Sequence, residues 1–313
     1  MLAQPTTTTT LADVPTRISL LGADGVPLAL EARGTAGAPA LLFAHGFGQT
    51  RQAWDSSASA LAATGWRCLT MDARGHGQSG WRADGAYDFS QFVDDLVRAA
   101  RLVAAGDTTR AGDGVDVHKA RPILVGASMG GLLGLVAQAE QEAFAALVLV
   151  DITPRWETAG VERILAFMRA YPRGFATLEE AAAAIAQYLP HRAEKKSPAR
   201  LRSLLVPGDN GRLRWHWDPR LLDSIARDSE RQQARLLDAA RRVRVPTLLI
   251  SGERSDVVSD ATIAEFLHCV PHAQHVRVAR ATHMLAGDAN DAFTAAVARF
   301  IAPLRPTRFE ETL

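Results

Sequence analysis

Short apolar runs recur along the chain and alternate with longer segments whose apolar residues have helical spacing. Three of these runs, at 40–43, 123–125 and 145–150, contain only apolar residues, which is typical of strands buried on both faces of a parallel sheet. The segments between them, such as 54–64 and 90–105, have the length and spacing of helices. Strands that alternate with helices predict an α/β protein with a mainly parallel central sheet and helices on both faces.

The pattern changes between residues 152 and 243, where strand-like runs vanish and proline and glycine separate five segments with helical spacing. We therefore predict a helical cap over 152–243, inserted into a core formed by 15–151 and 244–304. Residues 1–14 contain five consecutive threonines and lack the basic and apolar regions of a secretory signal. We expect them to form a disordered leader, and we expect the protein to be cytoplasmic.

The apolar run that begins at residue 123 ends in the sequence Gly-x-Ser-x-Gly, with Ser128 at its centre, and a segment with helical spacing follows directly. A serine on such a sharp strand-to-helix turn has a strained backbone, and the flanking glycines let the strand and the helix approach closely. Backbone N–H groups at the start of the helix would face an oxyanion formed at the serine. The sequence therefore predicts Ser128 as a nucleophile and the Met129 amide as an oxyanion donor.

A second tight loop follows the buried strand at 40–43 and reads His-Gly-Phe-Gly from residue 45 to residue 48. Its glycines leave backbone amides accessible, so we predict the Phe47 amide as the second oxyanion donor. His45 is expected to hold this loop by hydrogen bonds, and it is also a candidate for the wall of a substrate pocket. Further candidates for that wall are the three tryptophans of the predicted cap, for which packing in the core is the alternative: Trp156, Trp215 and Trp217.

Together these motifs resemble the α/β-hydrolase-fold superfamily, in particular serine hydrolases with a helical cap, over residues 17–301. The matching features are the loop at 45–48, the sequence Asp-x-Arg-Gly-His-Gly-x-Ser at 72–79, the serine turn, a later loop acid and a late histidine. The resemblance implies an α/β-hydrolase fold and a serine, a carboxylate and a histidine that follow one another in that order along the chain.

The resemblance also implies a role for each member of this triad. Ser128 would be the nucleophile, and His283 would be the general base and then the general acid. Asp256 would orient the imidazole and stabilise the imidazolium. The Phe47 and Met129 amides would hold the developing oxyanion.

Two of these assignments have alternatives within the sequence. Asp151 and Glu253 compete with Asp256 for the role of the acid, and Asp256 is preferred because the two valines after it match the usual acid loop. His283 is preferred among the late histidines because it alone follows the last predicted strand. The alternatives to His283 are His268, His272 and His275.

Serine at position 128 argues against a resemblance to epoxide hydrolases and haloalkane dehalogenases, whose pattern has an aspartate at that turn. The resemblance implies hydrolysis of a small-to-medium, apolar carboxylic ester through an acyl-enzyme intermediate. Lactone hydrolysis, carbon–carbon bond cleavage and cofactor-free perhydrolysis on the same triad are alternatives. A ligand-binding or receptor-like protein without turnover is an alternative of another class.

Composition narrows the range of partners. The chain is 47% hydrophobic and 22% charged with a formal net charge of +1, so nothing favours nucleic acid or an anionic membrane as its main partner. No apolar run has the length of a membrane span, and the expected partner is a small ester-like molecule. Two cysteines, Cys68 and Cys269, lie in apolar sequence and are expected to be buried free thiols. No metal or organic cofactor is indicated.

Overall fold

The computed structural model of the chain describes residues 14–108, 121–189, 201–202, 204–208, 210–285 and 290–305. Apart from Val14, the predicted leader lies outside the described residues. None of the described helices is both long enough and apolar enough to cross a membrane.

The described strands are β1 (Thr16–Leu21), β2 (Pro27–Arg33), β3 (Ala40–Ala44), β4 (Arg67–Met71), β5 (Ile123–Ala127), β6 (Ala146–Val150), β7 (Leu205–Pro207), β8 (Leu213–Trp215), β9 (Thr247–Gly252) and β10 (Gln274–Val278). Eight of them form one sheet, in the spatial order β1-β2-β4-β3-β5-β6-β9-β10, and β7 pairs with β8 in a separate hairpin. The pairs from β4 to β10 are parallel, whereas β1 and β2 form an antiparallel hairpin at one edge.

Helices connect the strands and cover the sheet, as the alternation of the two patterns predicts. They are α1 (Asp55–Ala63), α2 (Phe89–Thr108), α3 (Met129–Gln141), α4 (Thr158–Arg169), α5 (Leu178–Tyr188), α6 (Leu221–Arg242), α7 (Asp260–Cys269) and α8 (Asn290–Ile301).

The central strands are apolar along their whole length because both of their faces are covered. Every residue of β3, β6 and β9 is buried, and alternate side chains enter two separate apolar cores. Since these strands are parallel, their carboxyl ends meet at one edge of the sheet, where loops can bring polar groups together.

The segment between β6 and β9, which we call the cap segment (residues 152–243), contains α4, α5, α6 and the hairpin of β7 and β8. The expectation that it has no strands is wrong, because Leu205–Pro207 pairs with Leu213–Trp215. Two of the five segments with helical spacing, at 219–227 and 230–241, belong to one continuous helix, α6 (Leu221–Arg242), in which no glycine or proline interrupts the chain. Most of another of the five segments, at 197–205, lies outside the described residues.

Candidate active site

Ser128 occupies the sharp turn between β5 and α3 that the sequence predicts. Its backbone has φ 47° and ψ −117°, a conformation that L-residues rarely adopt and that stores strain. The glycines on either side leave no room for a side chain. A Cβ on Gly126 would lie 2.6 Å from the carbonyl oxygen of Gly130, and a Cβ on Gly130 would lie 2.3 Å from that of Ala44. The turn therefore depends on these two glycines.

His283, in the loop after β10, contacts a buried carboxylate. Its Nδ1 lies 2.8 Å from Oδ2 of Asp151, whose side chain is fully buried. Asp151 follows β6 directly and has a positive φ of 49°. Its carboxylate also accepts hydrogen bonds from the Gly252 amide at 2.7 Å and from the Ser255 hydroxyl at 2.5 Å. These donors fix the carboxylate so that it can hold one orientation of the His283 ring.

Asp256 does not contact His283, and the prediction that this residue pairs with the histidine is wrong. Its carboxylate forms an ion pair with Nη2 of Arg163 on α4 at 2.5 Å, and its side chain is 29% exposed. The turn after β9 places the hydroxyl of Ser255 on Asp151 and directs the next side chain towards the cap segment. The alternative acid Asp151 is thus the one next to His283, while Glu253 accepts a hydrogen bond from the Arg280 amide.

The other late histidines have partners elsewhere. Nε2 of His275 lies 2.8 Å from the Ser251 hydroxyl, and Nε2 of His272 donates to the Val245 carbonyl at 2.9 Å. His268 is exposed on α7. Among these histidines, His283 is the one placed against Asp151, in line with the preference derived from sequence.

Contacts between loops bring Ser128, Asp151 and His283 to the same end of the sheet. The Ser128 amide donates to the carbonyl of Val150, the residue before Asp151, at 3.0 Å. Met284, next to His283, accepts a hydrogen bond from the Gln49 side chain at 3.4 Å. The same side chain accepts from the Gly46 amide, and a Cβ on Gly46 would lie 3.2 Å from the Cβ of Ser128.

The two predicted oxyanion donors lie beside Ser128. Met129 is the first residue of α3, so its N–H points out of the helix at the positive end of the helix dipole. Phe47 and Met129 both line the cavity that contains Ser128. Within the described ranges no group accepts a hydrogen bond from either amide, which leaves both available to a ligand oxygen.

Three buried histidines hold the loop that carries Phe47. Nε2 of His45 accepts from the Ala73 amide and Nε2 of His76 accepts from the Gly48 amide, at 3.0 and 3.2 Å. His216, from the cap segment, accepts from the Gly77 amide at Nδ1 and lies 3.3 Å from the Gly48 carbonyl at Nε2. Each ring thus needs one unprotonated nitrogen, so these contacts hold only while the three rings are neutral.

Burial lowers the pKa of His45, and it lowers the pKa of His76 still further because His45 and His216 lie beside that ring. The unfolded chain therefore binds protons below about pH 6.5 that the folded chain does not bind. We expect the free energy of unfolding to be highest above that pH. As the solution is acidified, it should fall by about 1.4 kcal/mol per pH unit for each of His45 and His76. Urea unfolding between pH 7.5 and pH 5 measures the slope.

His76→Gln is the informative variant for this pH dependence, and exposed His268→Gln is its matched control. The first should make the slope shallower, and the second should leave it unchanged. Equal slopes in all three proteins would show that the buried rings do not cause the acid sensitivity.

A cavity of about 160 Å³ opens beside Ser128, between the core and the cap segment. Its wall is almost entirely apolar. Core residues in the wall include Phe47, Phe92, Met129, Leu132 and Leu133. Cap residues in the wall include Ile152, Trp156, Ile164, Leu165, Leu221, Gln232 and Leu236. Trp156 therefore lines the cavity that contains Ser128, and its contact with a substrate stays a prediction.

Three other predicted wall residues do not line this cavity. Trp215 and Trp217 are buried and stack on each other with ring centroids 5.0 Å apart, and Trp215 forms a T-shaped pair with Phe175. These tryptophans form the core of the cap segment, which was the alternative interpretation. His45 is 2% exposed and lies beneath its loop, bonded to Ala73. Gln232 was missed, because nothing in a polar helical sequence shows which position faces inwards.

The side chains of the described residues include no group of three or more histidines, cysteines, aspartates or glutamates arranged to hold a metal ion. Both cysteines are buried free thiols, and burial raises the pKa of Cys68 to about 12. Neither thiol lines the cavity beside Ser128.

Comparison with known proteins gives the same fold and a related chemistry. A family model described as serine aminopeptidase, S33 matches residues 37–290. A 3-hydroxybutyrate-oligomer hydrolase of Cupriavidus necator is 29% identical over 78% of this chain and 82% of its own length. An esterase of Mycobacterium tuberculosis is 28% identical over 77% of this chain and 75% of its own length.

Solved structures resemble the chain over nearly its whole length. An α/β hydrolase from Novosphingobium aromaticivorans superposes with a TM-score of 0.72 at 26% identity, and the match covers 94% of this chain and 99% of that chain. E-2-(acetamidomethylene)succinate hydrolase superposes with a TM-score of 0.76 at 24% identity, and the match covers 92% of this chain and 100% of that chain. The second likeness shows the fold alone.

Proposed function

The chain belongs to the α/β-hydrolase family described as serine aminopeptidase, S33, and from that premise we propose that it cleaves small-to-medium, apolar carboxylic esters through an acyl-enzyme intermediate on Ser128. One observation carries the proposal: the pair of His283 and buried Asp151 lies at the same end of the sheet as the strained serine turn, beside an apolar cavity.

In the first half of the reaction, Oγ of Ser128 attacks the ester carbonyl carbon while its proton passes to Nε2 of His283. The Phe47 and Met129 amides hold the oxyanion of the tetrahedral intermediate. Asp151 accepts the hydrogen bond from Nδ1–H of His283 and stabilises the imidazolium. The intermediate collapses when His283 gives its proton to the leaving alcohol, which leaves the acyl group on Ser128.

In the second half, His283 takes a proton from a water molecule that attacks the acyl carbon. The second tetrahedral intermediate uses the same two amides. It collapses when the proton returns to Oγ of Ser128, and the carboxylic acid leaves. No other residue or cofactor is needed to balance these steps.

The cavity supports an ester in preference to a peptide with a free amino terminus, despite the description of the family. The described residues of its wall include no aspartate or glutamate, so a substrate's α-ammonium group would have no countercharge there and its burial would be costly. The names of the two relatives, an esterase and a 3-hydroxybutyrate-oligomer hydrolase, agree with this choice. An apolar cavity of this size holds a group with roughly the volume of benzene.

The size of the cavity predicts a chain-length preference. With p-nitrophenyl esters from acetate to decanoate, we expect kcat/KM to rise to roughly the six-carbon acid and to fall beyond it. Leu165→Trp fills the cavity from α4 and should shift the optimum towards acetate, whereas Ala166→Trp, on the exposed side of the same helix, should not. Steady-state release of p-nitrophenol measures all three profiles.

The same assay separates the alternatives. Faster turnover of lactones or of a diketone-type acid would move the reaction to lactone or carbon–carbon hydrolysis, and oxidation of halide with peroxide and a carboxylic acid would indicate perhydrolysis. No turnover of any of these, with no labelling of Ser128 by a fluorophosphonate, would indicate a ligand-binding protein instead of an enzyme.

A further inference from the structure

The wall of the cavity contains a buried polar atom that lacks a partner in the described part of the chain, Oε1 of Gln232 on α6. No other described residue of the wall donates a hydrogen bond to this oxygen. Leu236 lies one helical turn further along α6, and Leu132 and Leu133 of α3 are apolar. Tyr87 also lines the wall, and its hydroxyl donates to the Asp218 carboxylate at 2.8 Å.

An amide oxygen in an apolar cavity is unfavourable unless a hydrogen bond compensates for the water it has lost. Packing does not require a polar side chain at this position, because a leucine or methionine has a similar volume and would extend the apolar wall. A ligand group that bonds the amide would remove the cost only while the ligand is bound. Such an atom therefore selects for a ligand that carries a matching group.

We propose that Gln232 is a specificity residue that binds a hydroxyl group on the part of the substrate lying in the cavity. This inference rests on the proposed ester hydrolysis. The ligand class is an apolar acyl or alcohol group of roughly benzene size that carries one neutral hydroxyl.

The chemistry of the wall favours a neutral hydroxyl over other polar groups. An amide presents both an acceptor oxygen and a donor NH₂, and a hydroxyl can donate to one or accept from the other. A charged group would need a countercharge, and no lysine, arginine, aspartate or glutamate is among the wall residues that the structure describes. Gln232 and Ser128 line the same cavity, so one substrate can contact both.

The test compares matched ester pairs that differ only by a hydroxyl, at short and at long reach. The pairs are p-nitrophenyl butyrate with 3-hydroxybutyrate, and p-nitrophenyl 3-phenylpropanoate with 3-(4-hydroxyphenyl)propanoate. For at least one pair we expect the ratio of kcat/KM, hydroxylated to plain, to fall about tenfold in Gln232→Leu. The plain ester of each pair is the reference, so a change in turnover that affects both esters equally leaves the ratio unchanged. Gln233→Leu, at the next position of α6 and outside the wall, should leave both ratios at the wild-type value.

Binding gives a second readout that does not need catalysis. Phenol should raise the Tm of the wild-type protein more than toluene does, and Gln232→Leu should reverse this order. If both kinetic ratios and the order of the ligands are the same in the wild type and in Gln232→Leu, the inference is wrong even though ester hydrolysis stands. If no plain ester is hydrolysed but the order of the ligands reverses, the proposed reaction fails and the hydroxyl site stands.

Discussion

Asp151→Asn is expected to lower kcat for ester hydrolysis by about 10⁴-fold, whereas Asp256→Asn should leave kcat near the wild-type value. The first change keeps the shape of the side chain but removes the carboxylate that accepts from Nδ1–H of His283, so the imidazole loses its preferred tautomer and its stabilised charged form. The second change removes a partly exposed ion pair with Arg163, and such pairs contribute little. Steady-state kinetics on the best p-nitrophenyl ester measure both.

The control for the Asp151 variant is its stability, because the carboxylate also accepts from Gly252 and Ser255. Circular dichroism and Tm show whether Asp151→Asn remains folded at the assay temperature. Ser255→Ala, which removes one donor to the same carboxylate but keeps its charge, should cost much less activity than Asp151→Asn. If Asp256→Asn loses more activity than Asp151→Asn, Asp256 is the acid that supports His283 and the assignment of Asp151 is wrong.

The ambiguity between these two acids shows where sequence reasoning stops. Both follow strands, β6 and β9, that are parallel neighbours in the sheet, so sequence order places both carboxylates near the same edge. The choice depends on the turns. A positive φ at Asp151 turns its carboxylate towards His283, while the turn after β9 presents Ser255 there. Turn dihedrals of this kind leave no trace in the pattern of apolar residues.

The sheet was predictable because its signals are local. Wholly apolar runs indicate central strands, and the glycines around Ser128 are required by contacts of the turn itself. The cap segment was less predictable. Its strands are three residues long, too short for an alternating pattern. Trp215, which stacks on Trp217, also packs against Phe167 of α4, so its place depends on how the hairpin meets that helix. The inward position of Gln232 likewise depends on packing between the cap segment and α3.

Ser128→Ala is expected to lower ester hydrolysis by about 10⁶-fold and to prevent labelling by a fluorophosphonate, because the proposed acyl intermediate forms on the hydroxyl that this change removes. Mass spectrometry of the labelled wild-type protein should place the adduct on Ser128. A label on another residue, or substantial turnover by the alanine variant, would contradict the assignment of the nucleophile.

Backbone strain at this turn gives a control that ordinary loss of a side chain cannot imitate. Alanine keeps the Cβ that makes a positive φ unfavourable, whereas glycine accepts φ 47° without that cost. Ser128→Gly should therefore be as inactive as Ser128→Ala but more stable by about 1 kcal/mol in urea unfolding. Equal stability of the two variants would mean that the turn is unstrained. If the glycine variant is inactive but more stable, the fold accepts a cost in stability in order to hold the serine hydroxyl at the cavity. A nucleophile requires that position for its hydroxyl, whereas a purely structural turn does not.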